Sequence, residues 1–196
     1  MSAPRKIAPA DIISSKEFAA QRKERRLALL PKKKLRRIPV GPDCTFYFEC
    51  YDTMLFQVQE MLLIEKAGPE QAPDEIAAYN PLIPQGSELV ATVMFEIEDA
   101  DRRARVLRQL TGVEDTLYIE VAGERAVAVP LGDSDRTADD GKTSSVHFVR
   151  FTLSPAQISA WRSGQGQVIL GVDHPNYGHM AVIGGDSRAE LATDFD

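Results

Sequence analysis

The segment SELVATVMFEIED, residues 87–99, alternates between apolar and polar side chains. Its apolar positions are the odd-numbered ones, namely Leu89, Ala91, Val93, Phe95 and Ile97. Glutamates and a threonine occupy most of the even-numbered positions. Successive side chains of a strand point to opposite faces of its sheet, so this alternation indicates one buried and one polar face. We therefore predict a long, half-buried β-strand here.

Helices are predicted on both sides of this strand along the chain. After it, Asp99 is a suitable N-cap for the segment ADRRARVLRQL, and Gly112 ends that helix. Before it, the segment MLFQVQEMLLIEK at 54–66 forms a helix with Asp52 or Thr53 as its cap. This second helix is apolar on nearly all sides, so we expect it to be buried on several faces.

Several other segments have the composition and the turn signals of strands. They are CTFYFECY at 44–51, two strands within 115–131 around a turn at 123–124, VHFVRFTL at 146–153, QVILGVD at 167–173 and HMAVI at 179–183. The segments at 115–131 and 167–183 are typical of hairpins, which join antiparallel strands. The predicted fold class is α+β: a single domain with an antiparallel or mixed sheet of about six to seven strands and helices packed on it.

A basic helical arm precedes this sheet-forming part of the chain. Ser14 and Glu17 form a capping box that starts a helix, and Pro31 is expected to end it. The segment KKKLRRIPVGP that follows has the proline, glycine and charge content of a connector. We therefore predict an arm and connector over residues 1–40 and an α+β domain over residues 41–196.

Charge is distributed unevenly between these two parts. Residues 1–37 hold 12 Lys and Arg against three acids, a net charge of +9, and the remainder holds 11 against 26, a net charge of −15. Opposite charges of this size either dock the arm on the domain or direct the arm to a polyanion. The arm has one aromatic residue, Phe18, and no helix-turn-helix or zinc-finger pattern, so nucleic-acid binding is the weaker hypothesis.

Two features of the sequence concern location. It contains no apolar run of about 18 residues, the length that a membrane span requires. The N-terminal MSAPRKIAPADIISS lacks the apolar core of a secretory signal. We therefore expect a cytoplasmic protein without a membrane partner.

The two cysteines, Cys44 and Cys50, lie in one predicted strand. At about 3.3 Å per residue they are about 20 Å apart, whereas a disulfide needs Cα atoms within about 7 Å. We therefore expect two small buried or half-buried thiols, with no disulfide and no joint metal site.

Motifs of several common enzyme classes are missing from the sequence. It contains no GxGxxG, Walker loop, HExxH, GxSxG or CxxC pattern. These patterns position phosphates, metals, nucleophiles and redox thiols in their families. Their absence argues against dinucleotide enzymes, NTPases, zincins, elbow-type serine hydrolases and thioredoxin-like chemistry.

The segment DHPNYGH at 173–179 contains two of the three histidines. With Pro175–Gly178 as a connecting turn, His174 and His179 stand opposite each other across a hairpin, with Cβ atoms about 5 Å apart. Two imidazoles at that separation are able to share a metal ion. The simpler interpretation is a turn, in which proline, asparagine and glycine supply the backbone geometry.

A metal site at this hairpin needs a third ligand from elsewhere. Asp173 points to the opposite face of its strand, which makes it a poor ligand. His147, Glu60 and Glu65 are the candidates, of which Glu65 falls within the apolar stripe of the helix at 54–66. Both glutamates are expected to be semi-buried, and a buried carboxylate needs a partner or a shifted pKa.

The strand VHFVRF places His147 and Arg150 on opposite faces. His147 shares its face with Val149 and Phe151, so a core histidine with satisfied hydrogen bonds is expected. Arg150 lies among apolar neighbours, which favours a buried ion pair over the alternative of anion or carboxylate binding. The acids considered as its partner are Glu49, Glu60, Glu65 and Glu96.

Four segments of the chain resemble a bacterial family known as domain of unknown function 3501. They are DTMLFQVQEMLLIEK at 52–66, EIAAYNPLIPQGSELVATVMFEIEDADRR at 75–103, VHFVRF at 146–151 and VDHPNY at 172–177, in the same order as in the family. The resemblance covers nearly the whole chain and implies no established activity. It implies an accessory role in a redox pathway, because genes of the family often lie near those of rubrerythrin-like and iron–sulfur oxidoreductases.

These observations lead to three functional hypotheses. The first is a non-catalytic accessory or binding protein with a redox enzyme as its partner. The second is a metal-dependent enzyme that uses His174, His179 and nearby carboxylates, and the third is a nucleic-acid binder that works through the arm. The residues expected to form a polar pocket are Glu60, Glu65, Arg150, Asp173, His174, Asn176 and Tyr177. The sequence specifies no catalytic residue, cofactor or oligomeric state.

Overall fold

Strand β3, Glu88–Phe95, is the central strand of a five-stranded sheet. The computed structural model describes residues 4–65, 69–132 and 142–196. Its helices are α1 (Ser15–Leu35), α2 (Tyr51–Ile64), α3 (Ala72–Tyr79), α4 (Ala100–Gln109), α5 (Pro155–Ser163) and α6 (Gly185–Leu191). Its other strands are β1 (Arg37–Val40), β2 (Cys44–Phe48), β4 (Leu117–Val121), β5 (Glu124–Val127), β6 (Val129–Pro130), β7 (Val146–Thr152), β8 (Val168–His174) and β9 (Tyr177–Val182). The α+β class is confirmed.

The strands form two antiparallel sheets rather than the single sheet that we expected. The five-stranded sheet has the order β1-β2-β3-β7-β6 and the four-stranded sheet the order β5-β4-β8-β9. The hairpins β4–β5 and β8–β9 pair with each other through β4 and β8 instead of adding to the sheet around β3. Alternation identifies strands, but pairing depends on packing between segments far apart in sequence.

One segment of the chain belongs to both sheets. Residues 124–127 pair with β4, and residues 129–130 pair with β7. Between them, the amide of Ala128 donates a hydrogen bond to the Leu117 carbonyl at 2.8 Å. This continuous segment forms a corner at which the two sheets join, as in sandwiches whose strands switch sheets.

The main core lies between the facing surfaces of the two sheets. The alternating residues of β3 that were predicted to be buried are buried, with Leu89, Ala91 and Val93 fully so. Phe46, Phe48 and Phe151 pack around them with ring centroids 6.4 Å apart. Such rings dominate the apolar area that a core removes from water.

A second apolar cluster covers part of the outer face of the five-stranded sheet. Helix α2 buries Met54, Val58 and Leu62 there, against Ile76 of α3 and Val90 of β3. The helix is therefore buried mainly on this side and Ile64 is exposed, so the expected burial on several faces is met only in part. It begins at Tyr51, and Lys66 lies outside the described residues. The part of the same sheet face that the cluster leaves open holds the site described below.

Helix α1 begins where the capping box predicted but continues past Pro31. Ser14 Oγ accepts a hydrogen bond from the amide of Glu17 at 3.2 Å. The expected end before Pro31 is wrong, because the helix runs to Leu35. Pro31 is exposed, whereas buried residues on either side of it, Phe18 and Arg36, hold both ends of the segment on the domain. Tertiary contacts thus override the local preference.

The arm docks on the acidic domain through ion pairs. The pairs are Arg5 with Asp196, Arg22 with Glu60, Lys32 with Asp52, Arg36 with Asp194 and Glu190, and Arg37 with Glu96. Of the two uses left open for opposite charges, intramolecular docking is therefore the one present in the fold. Arm and sheets form a single domain.

Three smaller expectations concern local structure. The predicted connector contains strand β1, whose four residues pair with β2. Cys44 and Cys50 are both buried and form no disulfide. Among the helices of the described ranges, none has the length and apolar character needed to cross a membrane.

Candidate functional site

A cavity of about 380 Å³ lies on the open part of the outer face of the five-stranded sheet. Helix α1 and the start of α2 form its walls, and β2 and β3 form its floor. Its lining residues are Lys33, Arg36, Tyr47, Phe48, Glu49, Thr53, Thr92, Met94 and Glu96. The volume is within the usual range for sites that bind small molecules.

Strand alternation explains why polar side chains meet on this floor. In β2, Phe46 and Phe48 point into the core, so Tyr47 points outward. In β3, Val93 and Phe95 point into the core, so Thr92 and Met94 point outward. Tyr47 and Thr92 are register partners and therefore lie side by side on the outer face.

Glu49 is the central acid of the cavity. Its Oε1 accepts a hydrogen bond from the Thr92 hydroxyl at 2.8 Å, and its Oε2 accepts one from the Thr53 hydroxyl at 2.6 Å. Burial raises the pKa of the Glu49 carboxyl, against the opposing effects of the two hydroxyls and the charges of Lys33 and Arg36. Glu49 forms no ion pair with any described residue.

Glu96 lines the cavity with a different set of partners. It accepts hydrogen bonds from the Tyr47 hydroxyl at 2.6 Å and from Arg37 Nη2 at 3.1 Å. Burial favours a raised pKa, but hydrogen bonds from Thr45, Tyr47 and Arg37 outweigh it and lower the pKa of Glu96. Burial and the hydrogen bond to Glu96 raise the pKa of Tyr47. The two cavity acids thus differ: Glu96 stays ionised, whereas Glu49 takes up a proton more readily.

Arg36, at the C-terminal end of α1, forms part of the cavity wall. It is 2% exposed, and its guanidinium contacts both carboxylate oxygens of Asp194, with Nη2–Oδ1 at 2.6 Å and Nη1–Oδ2 at 3.0 Å. It also donates to Glu190 at 2.9 Å and to the Glu49 carbonyl at 3.1 Å. Because these bonds occupy the donors of Arg36, we assign Arg36 a structural role in the cavity wall and not a role in ligand binding.

The polar residues predicted on α2 lie elsewhere. Glu60 is semi-buried, as expected, but it pairs bidentately with Arg22 of α1 at 2.6 and 2.7 Å. The hydrogen bond from Arg22 lowers the pKa of Glu60. Glu65 is exposed at the end of α2, so its expected burial is wrong. The helix ends at Ile64, before Glu65 could follow the apolar stripe into the core.

Arg150 and Asp173 also have separate surroundings. Arg150 pairs with none of the four acids considered, since Glu49, Glu60 and Glu96 bind the groups described above and Glu65 is exposed. The expected buried ion pair is therefore wrong. Asp173 points away from the core and pairs with Arg125 at 3.0 Å.

The hairpin predicted to hold a metal has a different register. His174 pairs with Tyr177, and His179 pairs with Val172, so the expected opposition of the two histidines is wrong. The turn is shorter than predicted, because Tyr177 already belongs to β9 and Pro175 and Asn176 alone connect the strands.

The side chains of this hairpin serve to fix its position. His174 is buried, and its Nε2 lies 3.3 Å from the Thr111 carbonyl while its Nδ1 accepts the Asn176 amide at 3.2 Å. Asn176 Nδ2 donates to the Gln109 carbonyl at 2.8 Å. His179 is exposed against the Tyr177 ring at 4.6 Å.

The histidines and the predicted pocket therefore form no metal centre in the geometry described. Within residues 4–65, 69–132 and 142–196, no group of three or more His, Cys, Asp or Glu side chains is arranged to hold a metal ion. His147 is buried in the core, with Nε2 2.9 Å from the Ser144 carbonyl and Nδ1 3.8 Å from Glu114. The metal-dependent enzyme stays a hypothesis without a third ligand.

The sequence contained a signal for the cavity that we did not use. Glu49 and Glu96 were considered as partners of Arg150 and not as members of a site. Alternation places Tyr47 and Glu49 on one face of their segment, and Thr92 and Glu96 on one face of theirs. Only the pairing of β2 with β3 shows that the two polar faces are the same surface.

Comparisons with known proteins agree with this architecture. A solved structure described as a novel protein of unknown function from Burkholderia pseudomallei K96243 matches with a TM-score of 0.89 and 33% sequence identity. The match covers 97% of this chain and 100% of that chain. No curated protein matches. The family model described as "Protein of unknown function (DUF3501)" matches residues 6–195, and this chain belongs to that family.

Proposed function

We propose that this chain is a non-catalytic binding protein whose cavity receives a small zwitterion, a molecule with both an ammonium and a carboxylate group. The observation that carries the proposal is the pair Glu49 and Lys33. Both line the same cavity, and neither forms an ion pair with a described residue. Glu49 is affected by the charges of Lys33 and Arg36 but contacts neither in an ion pair, so a ligand with both an ammonium and a carboxylate is complementary to Glu49 and Lys33 together.

The recognition follows from the charges. The ligand ammonium pairs with Glu49, whose two threonine hydroxyls keep its carboxyl in place. The ligand carboxylate pairs with Lys33 of α1. Glu96 is already neutralised by Arg37, so Glu49 is the acid available to a cation.

The remainder of the cavity suits a short apolar group between the two charges. Met94 lines the cavity, and the ring of Tyr47 is held by Glu96 and by Arg37, whose guanidinium lies 5.4 Å above the ring centre. A preformed, mostly apolar surface with a few fixed polar groups is typical of binding sites. Amino acids are therefore the ligand class that we expect.

Thermal shift and isothermal titration calorimetry with the purified chain test this proposal. The probes are the common amino acids and γ-aminobutyrate, with n-butylamine and butyrate as ligands that carry one charge each. We expect at least one zwitterion to bind more tightly than either singly charged probe. Glu49→Gln is expected to weaken that binding by about 10-fold or more, since a charge-assisted contact contributes about 1.5–3 kcal/mol.

Controls separate the site from general effects of charge. Lys33→Gln removes the proposed carboxylate contact and is expected to weaken zwitterions while leaving n-butylamine binding intact. Glu120→Gln is the matched control, because Glu120 lies on the outer face of the other sheet. Equal binding by wild type and Glu49→Gln, or no binding of any probe, would refute the proposal.

Proton exchange provides an independent readout. A bound ammonium favours the ionised form of Glu49, so binding releases a proton wherever the raised pKa leaves the free acid partly protonated. The affinity is therefore expected to rise with pH through that pKa. Calorimetry in two buffers of different ionisation enthalpy measures this release, and Glu49→Gln removes it.

We also propose that this chain is an accessory protein that binds a cytoplasmic redox enzyme, as the family resemblance implies. The burial of Cys44 and Cys50 supports a non-catalytic role for this chain. Burial raises the pKa of both thiols and disfavours the reactive thiolate. The redox step then belongs to the partner. Affinity purification from the native cytoplasm is expected to recover a rubrerythrin-like or iron–sulfur oxidoreductase, and recovery of neither contradicts the proposal.

A further inference from the structure

Arg150 is a partly buried cation that forms no ion pair with an acid of residues 4–65, 69–132 or 142–196. It projects from β7 on the outer face of the five-stranded sheet, between its register neighbours Val90 and Val129. Its Nη2 donates a long hydrogen bond, of 3.4 Å, to the Pro81 carbonyl. Its Nε is buried and has no hydrogen-bond partner among the described residues. A buried donor without a partner is unfavourable for folding, so its presence here points to a role other than stability.

The guanidinium lines a second cavity of about 390 Å³. Lys6 lies on the same cavity, is exposed and pairs with no described acid. Arg5 also lines it but is engaged by Asp196 at 2.5 Å and by two carbonyls. Two uncompensated cations thus face one cavity, which shares no lining residue with the cavity around Glu49.

The walls of this second cavity are fixed before any ligand arrives. The side chain of Asn80 bonds the backbone of Ile7 in both directions, at 2.8 and 3.1 Å. The side-chain amide of Gln85 donates to the Arg5 and Ile83 carbonyls, both at 2.8 Å. The N-terminal segment is therefore held against residues 80–85, with Lys6 and Arg150 left free to bind. A preorganised site loses less entropy on binding.

We propose that this cavity is an oxyanion-binding site in which Arg150 is the principal ligand-binding residue and Lys6 a second contact. The two Nη groups of the guanidinium form a planar fork that binds a carboxylate or phosphate group in a bidentate manner, whereas the Nε is closed off from solvent. Lys6 supplies a charge without directional geometry. The ligand class is a small organic acid or phosphate ester.

Titration of the intact chain with sodium acetate, succinate and inorganic phosphate, at constant ionic strength with chloride as the reference anion, tests this site. We expect saturable binding of at least one of the three probes and none of chloride. Carboxylate-selective and phosphate-selective binding distinguish the two sources of the oxyanion. Arg150→Gln is expected to weaken the affinity by about 10-fold to 100-fold, as for loss of a charge-assisted hydrogen bond.

Matched variants keep the result interpretable. Arg150→Lys retains the charge without the fork and is expected to fall between wild type and Arg150→Gln. Lys6→Gln is expected to weaken binding by a smaller factor, because Lys6 is exposed. Arg105→Gln removes an exposed arginine outside both cavities and is expected to bind as wild type does.

A spectroscopic readout covers the case in which Arg150→Gln folds poorly. The Nε–H resonance of Arg150, assigned by its disappearance in Arg150→Lys, is expected to shift on addition of the bound anion in the wild-type chain. An unmoved Nε–H resonance overturns the proposal. So does equal anion affinity in wild type, Arg150→Gln and Arg105→Gln, which would indicate a general salt effect.

Discussion

The hydroxyl of Tyr177 connects the hairpin of the four-stranded sheet to the turn between β1 and β2. It accepts hydrogen bonds from the amides of Asp43 and Cys44, at 3.0 and 2.9 Å, and donates to the Val40 carbonyl at 2.8 Å. The sequence suggested Tyr177 as part of a polar pocket, and its hydroxyl does form polar contacts, although with the backbone of another hairpin. Its partners lie more than 130 residues away, however, and no local pattern identifies them.

Replacement of Tyr177 by phenylalanine is expected to lower the free energy of unfolding by about 3 kcal/mol. Three buried backbone groups lose their partner, and each such loss costs about 1–3 kcal/mol before relaxation. Urea denaturation measures the change. Tyr79→Phe is the control, because Tyr79 is half-buried and its hydroxyl contacts no described partner. Equal losses in the two variants would show that the three bonds of Tyr177 contribute little.

Glu49 is expected to make stability depend on pH in a direction opposite to that of Glu60. Burial raises the pKa of Glu49 above 4.5, so the folded chain holds this proton more tightly than the unfolded chain. The resulting stability is fully present below the unfolded pKa and is lost as pH rises through the folded pKa. Relative to Glu49→Gln, wild type should therefore become less stable as pH increases above about 4.5.

Glu60 provides the matched comparison for that measurement. The hydrogen bond from Arg22 lowers the pKa of Glu60 below 4.5, so its contribution is present above the unfolded pKa and lost as pH falls. Relative to Glu60→Gln, wild type should gain stability as pH rises to about 4.5. Urea denaturation across the acidic range measures both trends, and parallel trends for the two variants would contradict the assignment.

At the scale of single elements, two of the three helix starts to which we assigned a cap were predictable, whereas α2 begins at Tyr51 after Cys50 and not after Asp52 or Thr53. Ser14 and Asp99 each accept a hydrogen bond from the amide three residues later, as their sequence patterns indicated. These signals are local, since the cap and its partner lie within one turn. The end of α1 was not predictable in this way. The contacts that carry it past Pro31 come from the domain and not from the helix.

Strand β8 contains a glycine that the neighbouring strand requires. A Cβ added at Gly171 would overlap atoms of the Tyr118 ring, which lies across the glycine from β4. Arg125 covers the other side of this ring, with its guanidinium 4.0 Å from the ring centre. Glycine, ring and guanidinium thus form a stack across three strands on the outer face of the four-stranded sheet.

Replacement of Gly171 by alanine is expected to destabilise the chain by about 1–3 kcal/mol, because it forces the Tyr118 ring off the strand. Gly178 in β9 is the control, since a Cβ there meets nothing within 4 Å. Gly178→Ala should change the free energy of unfolding by less than about 0.5 kcal/mol. Thermal or urea unfolding of the two variants decides between this stack and a general intolerance of larger residues in the sheet.

For the molecule as a whole, composition and alternation predicted the class of fold but not the partition into two sheets. The corner segment at 124–130 offers two short strands in sequence, and nothing local assigns one to each sheet. The cavity around Glu49 was not predicted for the same reason: it depends on how distant strands pair. Its floor needs the register between β2 and β3, which is a long-range property. The docking of the arm was partly predictable, because the opposite net charges of the arm and the domain can be counted without knowing which strands pair.

The ion pair between Arg36 and Asp194 is expected to be the strongest link between the two ends of the chain. Arg36→Met leaves the buried carboxylate of Asp194 without its main partner and should cost about 3–5 kcal/mol. The double variant Arg36→Met with Asp194→Leu should recover part of this loss. Arg37→Met is the control, because Arg37 is 53% exposed and its pair contributes less than about 1 kcal/mol. Equal losses for Arg36 and Arg37 would refute the special role of Arg36.

The same ion pair has a consequence during synthesis. Asp194 follows Arg36 by 158 residues, so a ribosome reaches it roughly 8–32 s later at about 5–20 residues per second. During that interval strands β1 to β9 are synthesised in turn, while Arg36 still lacks its carboxylate partner. The pairs of Arg22 with Glu60 and of Lys32 with Asp52 become available early in it, so α2 is able to hold α1 first. The last residues to be made then complete the contacts at the C-terminal end of α1.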